Sequence, residues 1–150
     1  MIRQTGDSLI ATYIESGIIC RNNLHIIINN SDHNILFFLA LLNSKMLNFI
    51  YEIINPEKGE ALAEVKKSHI EQLPIYVLDL SKKSDKLKHD NIVSLVDRML
   101  ELKKKEAAEQ NPQARIVITR QIDGVDKEID KAVYELYGVE EGEICVEGGT

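Results

Sequence analysis

The sequence predicts an α+β fold: an antiparallel β meander with packed helices, followed by a C-terminal antiparallel helical hairpin. Three observations carry this expectation. Short β-branched runs alternate with turn residues up to about residue 29, and two capped apolar stretches follow them. From Asp90 onward, apolar residues recur every three or four positions through two long stretches, the period of helices packed along a seam.

The β-rich runs are residues 2–5, 9–14, 18–20 and 24–29, separated by "GD", "ESG" and "RNN". Gly, Asp and Asn tolerate turn geometry, so these breaks predict an antiparallel meander. After "NNSD", Ser31 or Asp32 is placed to cap a helix beginning near His33. Ser44 is placed likewise before "KMLNFIYEII", in which Met46, Leu47, Ile50, Ile53 and Ile54 share one face.

"NPEKGEALAEVKK" mixes charges with Pro56 and Gly59 and reads as a loop, with at most one weak strand. Ser68 and Glu71 have capping-box spacing, which predicts a short helix ended by Pro74. "PIYVLDL" then returns to strand.

In the helical region, "NIVSLVDRMLELKKKEAAEQ" sets Ile92, Val96, Met99 and Leu102 or Lys103 on one seam. The second stretch places Ile118, Ile122, Val125, Ile129, Ala132 and Leu136 at alternating spacings of four and three, the heptad pattern. Asn111 followed by Pro112 starts it, so the hairpin turns near Gln110. Gly124 costs about 1 kcal/mol relative to Ala inside such a helix, which the seam has to offset. These boundaries divide the chain into an α/β part (1–89), a hairpin (90–138) and a loose acidic tail (139–150).

Composition narrows the class further. At 150 residues, 44% hydrophobic and 28% charged, the chain suits one folded domain and not a disordered one. The longest apolar run, residues 35–42, is far shorter than the roughly 18 residues of a membrane span. Cys20 and Cys145 show neither metal-ligand spacing nor a disulfide framework, so the expected compartment is the cytoplasm, with no membrane partner. Residues 1–89 carry 10 Lys and Arg against 10 Asp and Glu, and residues 90–150 carry 8 against 14, so the net charge of −6 lies wholly in the second part. A neutral front part can still present a local basic face to nucleic acid.

The chain contains no phosphate-binding G-x-x-x-x-G-K-[ST] loop, no H-E-x-x-H, no G-x-S-x-G and no dinucleotide fingerprint. His25, His33, His69 and His89 lack mutual ligand spacing, so no metal site and no catalytic set is expected. Glu64 and Lys66 form the carboxylate-x-Lys triplet by which some nucleases hold a metal ion. A second acidic ligand on a preceding strand is missing, so the charged-loop explanation takes precedence over a small metal-dependent nuclease.

The polar residues Gln4, Thr5, Asp7, Arg21, Asn22 and Asn23 suit base edges and phosphates, because amides and guanidinium groups make the paired hydrogen bonds that read bases. Turns favour the same residue types for backbone reasons, and composition alone favours that explanation. Arg3, Lys58, Lys66 and Lys67 lie in or beside predicted turns and complete the candidate DNA-binding set.

"IRQTGDSLIAT", "NNLHIIIN", "FLALLNSKMLNF", "KGEALAEVKKSHIEQLPI" and "RQIDGVDKEIDKAVYELYGV" follow one another in an order that resembles the TaqI-like C-terminal specificity domain of type II restriction and modification enzymes. The resemblance implies target recognition in duplex DNA. It also implies that the chain is the rear part of a longer protein whose front part is an adenine-specific methyltransferase, sometimes fused to a nuclease. On that expectation the opening residues, which read as the middle of a hairpin, follow a preceding domain. S-adenosylmethionine belongs to that methyltransferase part, and no cofactor is expected in this chain. The only Asn-Pro pairs here, in "NPEK" and "NPQA", do not match the Asn-Pro-Pro-Tyr motif that holds a flipped adenine. Two alternatives remain: a protein interaction module that self-associates through the helical hairpin, and the nuclease.

Overall fold

The chain folds as α+β in the computed structural model, which describes residues 1–20, 22–60 and 63–144. Among these residues the elements are β1 (Ile2–Arg3), β2 (Leu24–His25), α1 (Ile35–Asn43), α2 (Lys45–Ile54), α3 (Lys67–Ile70), α4 (Lys83–Ala108), α5 (Pro112–Tyr137) and a final 3-10 turn, Glu141–Ile144.

The meander is much shorter than its β-propensity predicts. β1 and β2 pair antiparallel with Ile2 opposite His25 and Arg3 opposite Leu24. Isolated bridges join Ile2 to Ala11 and Thr5 to Glu64. The predicted strand 9–14 meets β1 only around that bridge, where Arg3 N–H donates to Ile10 O (3.0 Å) and Thr12 N–H to Met1 O (2.9 Å), and its other edge is taken by helical side chains instead of a further strand. Leu9 N–H donates to Asn48 Oδ1 (2.8 Å), Ala11 N–H donates to Asn43 Oδ1 (2.8 Å), and Asn43 Nδ2 donates to Ala11 O (3.0 Å). The predicted strand at residues 74–80 is replaced in the same way, since Tyr137 Oη donates to Pro74 O (2.7 Å) and accepts from Tyr76 N–H (3.1 Å). Residues 18–20 and 26–29 form no strand either. Ile19 is 97% exposed and Ile28 77%, so neither β-branched run finds a surface to pair with.

Side-chain caps decide where the helices begin. Asn34, not Ser31 or Asp32, caps α1 by accepting from Leu36 N–H (2.9 Å), while Ser31 Oγ donates to Asn29 Oδ1 (2.8 Å). Ser44 caps α2 as expected, its Oγ accepting from Leu47 N–H (3.2 Å). Ile53, assigned to the buried face of α2, is 71% exposed. In α3 the N-cap position belongs to Lys66, so Ser68 lies inside the helix and the capping box does not form. The long helix α4 begins at Lys83 and not at Asp90, with Asp85 in its first turn, where the helix dipole favours an acid. Asn111 Oδ1 accepts from Gln113 N–H (2.9 Å) ahead of Pro112 to open α5, and Gly138 closes it at φ 67°, a left-handed conformation that Gly adopts without strain.

One core joins these parts. Ile92, Val96 and Leu102 of α4 meet Ile122, Val125, Ile129 and Leu136 of α5, and the same cluster takes in Phe37 and Leu41 of α1 with Ile2, Leu9 and Val65 of the front. Leu102 fills the seam while Lys103 is exposed; Met99, Ile118 and Ala132 are half-buried at its margin.

Two polar joints fix the hairpin to the helices before it. Asp130 of α5 accepts from Lys45 N–H (2.9 Å) at the start of α2 and pairs with Lys45 Nζ (3.2 Å), which holds the Lys45 ammonium more firmly protonated than usual. Buried His89 of α4 accepts at Nε2 from Asn34 N–H (3.0 Å), and its Nδ1 lies 2.9 Å from Asp90 Oδ1. Among the described residues no single helix is long and apolar enough to cross a membrane; α1 and α2 together reach that length but bend by 62° at Ser44.

Candidate nucleic-acid interface

The candidate face arises from strand alternation in β1 and from the three segments that flank it. In β1 the side chain of Ile2 is buried and that of Arg3 exposed; Gln4 is half-buried and Thr5 exposed again. One edge of this segment is held by Arg3 N–H donating to Ile10 O (3.0 Å). Along the other edge Gln4 N–H donates to Asn23 O (3.2 Å), Val65 N–H donates to Gln4 O (2.6 Å) and Gly6 N–H donates to Ala63 O (2.8 Å). His25 Nε2 donates to Val65 O (2.5 Å), tying the second and third segments together.

The structure therefore brings Arg3, Gln4, Thr5, Asn22 and Asn23 to one end of the sheet, with Lys66 one residue beyond the segment that pairs with Gln4. Arg21 lies outside the described residues. Asp7 follows the Gly6 turn on the side of Tyr51, whose phenol is pushed up first by burial, then by the carboxylates of Glu57 and Asp7.

The three lysines of the set do not stand as free cations. Lys58 pairs with Glu52 (2.7 Å), Lys67 with Glu71 (3.4 Å), and Lys66 with Glu57. Glu57 also accepts from Glu64 N–H (3.1 Å). The hydrogen bond from Lys66, followed by that from Glu64 N–H, holds the Glu57 carboxyl below its ordinary range, and Glu57 raises Lys66 in return. Glu64 and Glu60 add their fields at Lys66. Any phosphate contact by Lys66 has to displace a carboxylate. Solvent screens exposed pairs of this kind, so the exchange is inexpensive but not favoured in advance.

The polar residues on the sheet behave differently. Among the described residues, the side chains of Arg3, Gln4, Thr5, Asp7, Asn22 and Asn23 make no hydrogen bond and no ion pair. Elsewhere Asn29, Asn34, Asn43, Asn48 and Asn111 all bind backbone groups. Asn22 and Asn23 lie in the turn that leads into β2, and their side chains take no part in its hydrogen bonds among the described residues.

Sequence reasoning missed Asn43 and Asn48, whose amides hold residues 9–11 beside β1. It also missed the role of Gly6. Gly6 has φ 127°, and a Cβ there would fall 2.5 Å from an Arg3 guanidinium nitrogen and 3.2 Å from its Cζ. The "TGD" spacing, with Gly three residues after Arg, was the available signal.

Among the described residues no three His, Cys, Asp or Glu side chains gather as metal ligands. Glu64 uses its backbone to bridge Thr5, and Lys66 is held by Glu57.

The TaqI-like C-terminal specificity domain matches residues 1–75, the part that contains β1, β2 and every candidate residue. No curated protein and no solved structure matches the chain. The match covers half of the 150 residues, and the chain belongs to the family of TaqI-like C-terminal specificity domains.

Proposed function

We propose that this chain reads a target sequence in duplex DNA with the end of its sheet, and positions that site for an adenine-specific methyltransferase part of the same restriction-modification enzyme. The observation that carries the proposal is the set of unengaged polar side chains on a backbone held from both edges. Base reading needs donors and acceptors that the protein has not already used, on a platform that does not move. A major groove about 12 Å wide admits β-structure. The specificity family supplies the restriction-modification setting.

Within this reading Gln4, Thr5, Asn22 and Asn23 face base edges, and Arg3 and Arg21 supply permanent positive charge. Lys58, Lys66 and Lys67 contact phosphates once their carboxylate partners are displaced. Asp7 is suited to accept from a cytosine amino group. S-adenosylmethionine would be held by the methyltransferase part, and the cytoplasm of a cell with such a system is the setting.

Fluorescence anisotropy with labelled duplexes of different sequence, titrated at several salt concentrations, tests the proposal. The expected result is weak binding by a chain of net charge −6, with a log–log salt slope of about one unit per phosphate contact. Replacing Gln4, Thr5, Asn22 and Asn23 together by Ala should abolish the preference among duplexes and leave residual binding. Equal affinity of the parent and this variant for every duplex would overturn the reading.

A further inference from the structure

β1 is two residues long, yet main-chain hydrogen bonds occupy both of its edges from Met1 to Gln4. Met1 and Thr12 exchange two bonds: the Met1 ammonium donates to Thr12 O (2.9 Å), and Thr12 N–H donates to Met1 O (2.9 Å). Arg3 N–H donates to Ile10 O (3.0 Å) on the same edge. On the other edge Ile2 stands opposite His25, and Gln4 N–H donates to Asn23 O (3.2 Å). Odd positions therefore bond one neighbour and even positions the other, the alternation of a strand with partners on both sides.

Continued past Met1, the same register sets the next position opposite Ile27 and the one beyond it opposite Ile14. The main-chain groups of Ile14 and Ile27 make no hydrogen bond among the described residues. A cleft lies there, lined by Tyr13, Ile14 and Ile27 and by Ile35, Phe38 and Leu39 of α1. Burial on the core side of the sheet falls off in step: Ile2 and Leu9 are buried and Ala11 and His25 half-buried, whereas Tyr13 is 43% and Ile27 37% exposed. Strand alternation puts Tyr13 and Ile27 on the same side as Ile2, so an apolar side chain between them would rest on α1 and cover both.

From this register we infer that the cleft receives an extended strand, formed by the residues that lead into β1 in the parent enzyme, and that the residue immediately before Met1 is apolar. A strand filling the cleft ends about 3.8 Å from the Met1 Cα, one peptide unit away, so continuation through the Met1 nitrogen fits without rearrangement. A separate strand would end against the Met1 ammonium, which burial, opposed in part by Cys20, already holds below its ordinary pKa. The inference does not rest on DNA recognition, because the cleft lies at the opposite end of β1 from Gln4 and Thr5.

The test compares the 150-residue chain with two versions extended before Met1, one by Lys-Thr-Val and one by Lys-Thr-Asp. With Val next to Met1, hydrogen exchange at the amides of Ile14 and Ile27 should slow about 5- to 10-fold, the effect of one added hydrogen bond at each. The melting temperature should rise by a few degrees. The Asp extension should do neither, because its carboxylate would lie in the apolar cleft. Free Lys-Thr-Val peptide, added at millimolar concentration to the unextended chain, should protect neither amide. Equal exchange in all three chains, or equal protection by the Val and Asp extensions, would overturn the docking of a strand. Protection by the free peptide, or protection in the unextended chain that grows with its concentration, would overturn the assignment to the residues before β1. None of these results alters the anisotropy test above, so the two readings fail separately.

Discussion

In the α4–α5 hairpin, buried contacts repeat at helical spacing, with Val125, Ile129 and Val133 of one helix facing Ile92 and Val96 of the other. Among the described residues of the stretch 1–33 four belong to strands, and at Leu9 and Ala11 the backbone is held by side chains from distant elements, Asn48 and Asn43. The hairpin backbone satisfies itself, leaving its side chains for packing. The front backbone is satisfied partly by short backbone pairings between its segments and partly, at Leu9 and Ala11, by amides from α1 and α2, while the polar side chains of β1 and the turn before β2 make no hydrogen bond among the described residues. The proposed DNA recognition calls for that second arrangement, and the front part shares one core with the hairpin.

The largest expected effect breaks the rigid half. Val125 is fully buried in the seam, so Val125→Asp should destabilise the chain by more than about 3 kcal/mol, read as a lost or greatly lowered thermal transition. A melting temperature within a few degrees of the parent would contradict the seam.

The double variant Asn43→Ala, Asn48→Ala attacks the other half. Each lost bond costs about 1 kcal/mol, and the loss is local. Hydrogen exchange should rise at the amides of Leu9 and Ala11 while α4 and α5 remain protected. Uniform acceleration throughout the molecule would show that the two halves are not held by different means.

A smaller effect of opposite sign is expected at Gly124, which lies inside α5 with open space where a Cβ would project. Gly124→Ala should stabilise the hairpin by about 0.5–1 kcal/mol and raise the melting temperature by a few degrees. It should leave any DNA binding unchanged.

The mildest change concerns Glu57. A carboxyl held below its ordinary range contributes stability that is complete above its unfolded pKa and lost as pH falls through the folded value. Glu57 therefore keeps Lys66 engaged throughout the neutral range, and duplex binding through Lys66 should not rise on mild acidification. Glu57→Gln should release Lys66 at neutral pH, strengthening binding to all duplexes at low salt and steepening the salt slope by up to about one unit. Unchanged binding would show that Lys66 faces no phosphate.

The contrast also explains what can be read from sequence. The hairpin is legible because its period, the Asn111–Pro112 start and its seam residues are all local signals. Ser44 is legible for the same reason. The β-branched residues at 9–14 and 74–80 are real, yet they mislead, because the bonds that claim those backbones come from Asn43, Asn48 and Tyr137, far away in the chain. The candidate polar residues are identifiable by type. That Arg3 has no partner among the described residues while Lys66 does depends on Glu57 folding back onto Lys66, which no spacing rule reveals.

Nuclear magnetic resonance titration of the isotopically labelled chain with duplex DNA addresses the central claim directly, because it reports which surface meets DNA without altering a residue. The account predicts chemical-shift changes concentrated at Arg3, Gln4, Thr5, Asp7, Asn22 and Asn23, with the outer faces of α4 and α5 unaffected. Changes centred on the hairpin, with the sheet end silent, would contradict it.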